Sequence, residues 1–531
     1  MRNLELPGRS PVRSLNGMAA TSHPLSTMTA ITVLQDGGNA MDAAVAACAV
    51  QCVVEPQSTG IGGDCFMLMA PEGEEEIIAF NGSGRAPAGA DADWYVENGI
   101  ESIDQHTPHA VTVPGAIDAW QTLLEKYGTK SLGELLQPAI KFAREGYPVT
   151  SRVAYDWAGN IETLSHDPTT REVFMPDGAT IGEGGVHRQQ KLAATLERIA
   201  EQGRDGFYTG PVAQDIVARL QELGGHHTLE DFAATKGAFV TPVKTDYRGN
   251  TVYECPPNGQ GIVALEILNI LAGYDFSDMD PLSAERLHLE IEAARLAYGD
   301  RDAVVADPDR SQVPIDWMLS QEHAAELRAA IVAEHAMTQV PPSVLPAHHD
   351  TVYLCVVDKD RNAVSFINSL FSAFGSGIMG RESGVVLQNR GCGFVVEPGH
   401  PNCIGPNKRP LHTIIPGMVA RDGKAVMPFG VMGGQYQAIG HAHVLSNHID
   451  FGMDIQEAID FPRFLSAPSG DEVDIESGVP DSVADGLRKK GHNVTAPAKP
   501  IGGAQAIQID WENGVLTGGS DPRKDGCAIG Y

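Results

Sequence analysis

No stretch of this 531-residue sequence approaches the ~18 consecutive apolar residues that a membrane-spanning helix requires. The most apolar segment, Ala43–Val50, is interrupted at once by Gln51. Arg2, Glu5, Arg9 and Arg13 lie near the N-terminus with no apolar core between them. A secretory signal is therefore not expected, and a cytoplasmic protein is. Positive charge is scarce: 38 Lys and Arg stand against 68 Asp and Glu, a formal net charge of −30. That deficit excludes a sequence-independent grip on nucleic acid, which needs cations to displace counterions from phosphate. It equally excludes docking on an anionic membrane. Its plain consequence is solubility. None of the eight cysteines forms a Cys-x-x-Cys pair and most sit in apolar segments, so reduced, buried thiols are expected rather than a disulfide framework. Repeats at solenoid or propeller periods are absent. With 42% hydrophobic and 20% charged residues the composition is that of an ordinary globular chain. The length allows about three domains of ~150 residues, or one large one.

Several catalytic signatures are missing too. There is no Gly-x-Ser-x-Gly elbow, no His-Glu-x-x-His and no Gly-x-x-x-x-Gly-Lys-Ser/Thr phosphate loop. One Gly-x-Gly-x-x-Gly occurs at Gly375–Gly380, but Gly384 and the valines beyond Arg381 disfavour the helix that a dinucleotide site needs. His441 and His443 are two residues apart and do not share a helix face, so they make a poor metal pair. No metal or cofactor is expected.

What is present reads from caps and periodicity. Ser22-His23-Pro24 predicts an N-cap and an early proline, with a helix running to Asp36 and stopping at Gly37-Gly38. Asn39 caps a second helix, Ala40 to Val54, apolar nearly all round and hence buried. A glycine-rich turn, Ser58–Asp64, leads into a short strand, Cys65–Met69. Residues 115–340 read mostly as helices with polar faces, including Ser283–Tyr298 and Gln321–His335. Pro341–Pro346 cannot be helical and reads as an extended, exposed linker. Thr351–Val357 and Ala363–Ser369 flank an Asp/Asn-rich turn and predict a β-hairpin. Further strands are predicted at Ile414–Ala420 and Ala425–Phe429. Gly433-Gly434 then opens a helix that carries His441, His443 and His448 and ends near Gly452.

The informative place is the junction of Asp350 and Thr351, where a proline-rich linker meets a strand. A threonine hydroxyl is a weak nucleophile unless a base sits beside it. Cleavage before Thr351 would create an α-amino group with a reference pKa of about 7.7–8.0, a base on the same residue. On local sequence alone, a threonine that merely starts a strand is the simpler reading. The wider pattern favours the other. Residues Asp350–Val364 resemble the start of the small subunit in the γ-glutamyltranspeptidase family, N-terminal-nucleophile hydrolases that cut their own chain before a threonine. Asp36–Ala44, Gly60–Gly63, Val113–Gly115, Tyr127-Gly128, Phe374–Gly377, Gly405–Pro410, Gly433-Gly434 and Ser520–Arg523 are similar to the family in the same order.

The resemblance implies an α+β fold, a four-layer αββα sandwich built from two segments of one autoprocessed precursor. Residues 1–350 would be the large segment and 351–531 the small one, remaining together as a heterodimer that further copies could join. It also implies Thr351 as nucleophile with its freed amine as base, Gly433 and Gly434 as the oxyanion hole, and Ser369 as a hydroxyl that steadies the nucleophile. Glycines let backbone approach closely, and a helix N-terminus aims N–H donors at developing negative charge.

The substrate pocket departs from the family. The family's carboxylate-binding arginine lies a few residues before an Ala-Pro pair; an ungapped count puts Ser83 there, with Arg85 two places away. The family's ammonium-binding acid precedes a phenylalanine; here Gly393 precedes Phe394, and Arg390 replaces an uncharged amide. His412-Thr413 replaces a pair of serines, and His400–Ile404 is short where many members carry a longer lid. A buried ammonium without a carboxylate is costly. The expected substrate contacts are Arg85, Asn389, Arg390, His412 and Thr413, a set suited to a carboxylate with no neighbouring amine. These runs are similar to the branch containing oxamate amidohydrolase and the cephalosporin-acylase-like proteins.

The expected function is thus an autoprocessing threonine amidohydrolase or acyltransferase, acting on an amide of a small carboxylate-bearing molecule through an acyl-enzyme. γ-Glutamyl transfer with glutathione hydrolysis is the second reading, and an unprocessed, non-catalytic relative the third. The charge is unevenly divided: residues 351–531 hold 15 basic and 19 acidic residues, and residues 1–350 hold 23 and 49. The overall acidity therefore does not argue against an anionic substrate near Thr351.

Overall fold

The computed structural model describes residues 5, 8–339, 351–466 and 471–531. The Pro341–Pro346 linker and Asp350 lie outside the described residues.

Two seven-stranded sheets face each other at the centre of the molecule. The first runs Cys527–Gly530, Met18–Thr21, Val352–Val357, Ala363–Ser369, Asp64–Ala70, Ile78–Gly82, Ala238–Val240, with every neighbouring pair antiparallel. The second runs Val12–Ser14, Val515–Ser520, Gly503–Asp510, Lys424–Met432, Gly417–Arg421, Asn250–Glu254, Val243–Tyr247, again antiparallel throughout. Phe66, Leu68, Tyr353, Cys355 and Ile367 of the first sheet meet Met418, Met432 and Ile507 of the second in the layer between them. Helices Pro24–Gln35 and Ala40–Val54 cover the first sheet, and Gly261–Leu271, Ala284–Val304 and Tyr436–Ile449 cover the second. The result is the four-layer αββα sandwich. Both sheets combine strands from before and after position 351.

The sequence explains this burial. Asn39 caps Ala40–Val54 through a reciprocal box with Asp42, and all fifteen residues of that helix are buried. Alanines dominate it, so it lies close against the sheet. Val352–Val357 and Ala363–Ser369 are buried on both faces, because one is covered by helices and the other by the second sheet. Strands so placed read as continuous apolar runs.

Some elements differ from the sequence expectation. His23, not Ser22, caps the first helix: its Nδ1 accepts the Leu25 N–H at 3.2 Å, while Ser22 donates to Glu55 at 2.6 Å. Residues 238–254 form three strands inside a region that reads as helical. Val243–Tyr247 alternates buried and exposed residues, and Arg248-Gly249 turns the hairpin with φ of 55° and 77°. The period-two signal is only five residues long and is swamped by its helical surroundings. Helix Ala284–Val304 runs beyond Tyr298, and Gln321–Ala330 stops short of His335. The eight cysteines are free, seven of them buried. Among the described residues no helix is long and apolar enough to cross a membrane.

Candidate active site

The hairpin register places Val352 opposite Asn368, so Thr351 falls beside Ser369. Thr351 Oγ1 donates to Ser369 Oγ at 2.8 Å. Ser369 Oγ also accepts the Phe371 N–H at 2.9 Å. Both hydroxyls are buried. Phe371 itself has φ of 80°, a region non-glycine residues seldom occupy. Such backbone persists only where its surroundings over-determine it, commonly at functional sites. Across the next strand pair, Ser369 lies opposite Asp64. Gly63 precedes that aspartate because a Cβ there would collide with the Ser369 carbonyl oxygen.

A second strand end faces the same region. Lys424–Met432 finishes at Gly433 and Gly434, with φ of 121° and 59°, just ahead of helix Tyr436–Ile449. A Cβ on Gly433 would lie 2.9 Å from the Gly502 Cα, so both conformation and space require glycine. Gln260 ties this pair to Thr413: its Nε2 donates to the carbonyls of Gly434 at 3.1 Å and Thr413 at 2.9 Å. Arg301 holds the other end of the Gln260 amide at 2.9 Å.

Arg390, 0% exposed, bridges Phe371, two residues beyond Ser369, and Thr413, which shares Gln260 with Gly434. Its guanidinium lies 4.4 Å from the Phe371 ring centroid, and its Nη1 donates to Thr413 Oγ1 at 2.8 Å. Nε and Nη2, the fork along the other edge, have no hydrogen-bond partner. The Asn389 Nδ2 has none either, although its Oδ1 accepts the Ser372 N–H at 3.1 Å. Burial lowers the Arg390 pKa only to about 10, with Asp64 opposing the shift, so it is a cation at neutral pH. Asp64 is fully committed. Its Oδ1 accepts from the Gly84 N–H (2.9 Å), the Gly115 N–H (3.1 Å) and Gln388 Nε2 (3.0 Å), and its Oδ2 pairs with His412 Nε2 at 3.1 Å. The geometry is a buried hydroxyl pair, a glycine corner at a helix start, and a cation with unused donors.

The same chain, compared with known proteins, matches the γ-glutamyltranspeptidase family model over residues 26–531. The chain belongs to the γ-glutamyltranspeptidase family. It is 38% identical over 523 residues to the glutathione hydrolase-like YwrD proenzyme of Bacillus subtilis, covering 97% of this chain and 98% of that protein. It is 34% identical over 531 residues to the oxamate amidohydrolase proenzyme of Klebsiella pneumoniae, covering 98% and 99%. Among solved structures it resembles the cephalosporin acylase from Bacillus halodurans, with a TM-score of 0.93, 39% identity, and 100% and 99% of the two chains covered.

Within this γ-glutamyltranspeptidase-family chain, the expected site residues separate into two groups. Thr351, Ser369, Asn389, Arg390 and Thr413 are linked through contacts of Phe371 and the Leu370 carbonyl, which accepts the Asn389 N–H at 3.2 Å. Arg85 is engaged elsewhere. It pairs with Asp309 at 2.8 Å and Asp307 at 3.4 Å and donates to the Asn407 carbonyl at 2.9 Å, with its side chain 30% exposed. His412 is buried between Asp64 and the Ile414 N–H, which reaches Nδ1 at 3.4 Å. Burial, with Arg390 beside it, holds its pKa down at about 4 against the pull of Asp64. His412 is therefore neutral, with both ring nitrogens in use, and supplies no charge to a substrate. His441 and His443 pair separately, with Glu254 at 2.6 Å and Glu290 at 2.8 Å. Asp64, Gln260, Gln388 and Phe371 pack around the expected site residues and were not singled out in the sequence. Asp64 closes the glycine turn and could have been noticed as a charge entering an apolar strand.

Proposed function

We propose that this chain is an autoprocessing threonine amidohydrolase whose substrate is an amide of a small carboxylate-bearing molecule. Scission of the Asp350–Thr351 peptide bond would free the Thr351 amine and leave residues 1–350 and 351–531 as two segments. Interleaving of their strands in both sheets supports their staying together as a heterodimer. The Thr351 hydroxyl then attacks the substrate carbonyl carbon while its own amine takes the proton. Gly433 and Gly434 would stabilise the oxyanion at the helix start. The C–N bond breaks, the leaving nitrogen takes the proton back, and water repeats the sequence to release the acid. Ser369 positions the attacking hydroxyl.

The observation that carries the substrate reading is the Arg390 edge: Nε and Nη2, buried and unsatisfied, form the fork that a carboxylate fills bidentately. A γ-glutamyl donor also needs a partner for its ammonium group. The neighbouring carboxylate, Asp64, already serves three donors on one oxygen and His412 on the other. Incubation with oxamate and, separately, with a γ-glutamyl anilide tests the proposal. Ammonia release from oxamate without anilide cleavage is the expected result. Anilide cleavage accelerated by glycylglycine overturns it in favour of γ-glutamyl transfer.

A further inference from the structure

Away from Thr351, in the helical layer over the second sheet, three side chains from three helices converge: Glu266 of Gly261–Leu271, Asp300 of Ala284–Val304 and His323 of Gln321–Ala330. Glu266 is 0% exposed on a helix that is buried over its whole length. His323 Nε2 lies 2.6 Å from Asp300 Oδ2 and 3.2 Å from Glu266 Oε1. A ring nitrogen carries one hydrogen, and the shorter contact commits it to Asp300. Glu266 is left with both carboxylate oxygens lacking a hydrogen-bond donor. A buried carboxylate beside a ring nitrogen whose hydrogen is aimed at another acceptor is costly unless a proton or a metal ion completes it.

We propose that Glu266, Asp300 and His323 form a binding site for one divalent transition-metal ion of the zinc or manganese kind. The donor set is two carboxylates and one imidazole, which suits such ions. All three donor atoms lie within 4.8 Å of one another. Ligand atoms held at about 2.0–2.1 Å from a tetrahedral ion stand roughly 3.3 Å apart, so the Glu266–His323 spacing fits and the Asp300–His323 contact opens by a rotamer adjustment. The surroundings suit the ion as well. Trp317 packs on the imidazole with centroids 3.8 Å apart, fixing its plane. Glu326 Oε2 lies 3.7 Å from His323 Nδ1, placed to accept that N–H once Nε2 binds metal. Asp300 is 21% exposed and offers the entry path. Protons balance the charge otherwise: burial raises the Glu266 carboxyl, and Glu266 and Asp300 raise His323 to about 9. A second cluster, His288, Glu292 and His492, shows the contrast. There the imidazoles bond each other at 2.7 Å and Glu292 takes Arg295 and the Met337 N–H, so both carboxylate oxygens already have a donor.

The site ties three helices together without touching Thr351, so its test reads binding and stability. The full chain, dialysed against EDTA at pH 8, is titrated calorimetrically with ZnCl2 and with MnCl2 while thermal unfolding is followed. One ion per chain and a rise of several degrees in Tm are expected. Cobalt should give visible d–d absorption of nitrogen/oxygen coordination without a thiolate charge-transfer band. Asp300→Asn and His323→Ala should lower the affinity at least tenfold, and Glu266→Gln, isosteric and free of its buried charge, should lose the ion while keeping its fold. No binding by the wild type overturns the proposal, as does affinity unchanged in Glu266→Gln and Asp300→Asn.

Discussion

Two arginines that the sequence offered as substrate contacts are set in opposite surroundings. Arg85 spends its donors on Asp307, Asp309 and a carbonyl at a half-exposed rim. Arg390 is fully buried, faces an aromatic ring, and keeps two of its nitrogens unspent. Its nearest carboxylate, Asp64, lends it charge without giving it a hydrogen bond, because four other donors hold that aspartate. The difference teaches what a binding cation looks like. An arginine with a full set of partners is part of the scaffold. One desolvated beside a counter-ion, yet left with an open fork, is stable only with an anion to complete it.

The largest expected effect is at Thr351 itself. Thr351→Ala would remove the proposed nucleophile and its proposed base together. It should remain a single band on a denaturing gel, whereas the wild type is expected to divide at residue 351, and it should hydrolyse nothing. An intact wild-type chain with full activity would sink the mechanism. Next comes Arg390→Ala. Losing two charge-assisted hydrogen bonds removes about 3 kcal/mol of binding, roughly 100-fold in kcat/KM. The loss should lie mainly in KM, since a substrate carboxylate is held alike in ground and transition states. A fall in kcat at constant KM would place Arg390 outside substrate binding.

How far the sequence reached follows from what it encodes locally. The hairpin after Thr351, the Asn39 cap and the glycine corner are short-range signals, so they could be read residue by residue. The four-layer sandwich came from family resemblance, since strand order joins residues hundreds apart. Arg390 was legible as an unexpected charge, but its open fork was not, because that depends on where Asp64 spends its oxygens. Arg85 looked equally suitable in the sequence; Asp307 and Asp309, more than 200 positions away, decide otherwise. Gln260 left no signal at all, as an amide bridging two carbonyls has no periodicity.

His412, buried beside Arg390, makes a third, smaller distinction, through pH. His412 has its pKa lowered from 6.5 to about 4, first by burial and then by Arg390. The unfolded chain therefore binds this proton before the native one does. The contribution to stability is fully present above pH 6.5 and is lost as pH falls through the window towards 4, at up to about 1.4 kcal/mol per pH unit. His23, His187 and His227 add slopes of the same sign. Glu55, raised to about 7 chiefly by burial, works the other way, so the total slope is not diagnostic. The difference between wild type and His412→Gln is. Urea unfolding at pH 5 and pH 6.5 should show a shallower pH dependence in the variant; an identical slope would mean that native His412 carries a proton.

Arg85→Ala should do least. Asp307 would keep the Arg409 N–H at 2.8 Å and the Asp309 N–H at 3.1 Å, and Asp309 would keep the Arg409 side chain at 3.2 Å. No buried carboxylate is stranded, and rim ion pairs of this exposure contribute about 0–1 kcal/mol. Activity on a carboxylate-bearing amide should stay within about threefold of wild type, in KM and kcat alike. The pairing with Arg390→Ala is what gives this small number its force. If both variants raise KM by the same large factor, the substrate reaches Arg85 as well as Arg390, and a full set of partners does not mark an arginine as scaffold. If only Arg390→Ala does, the unsatisfied edge is what selects the substrate.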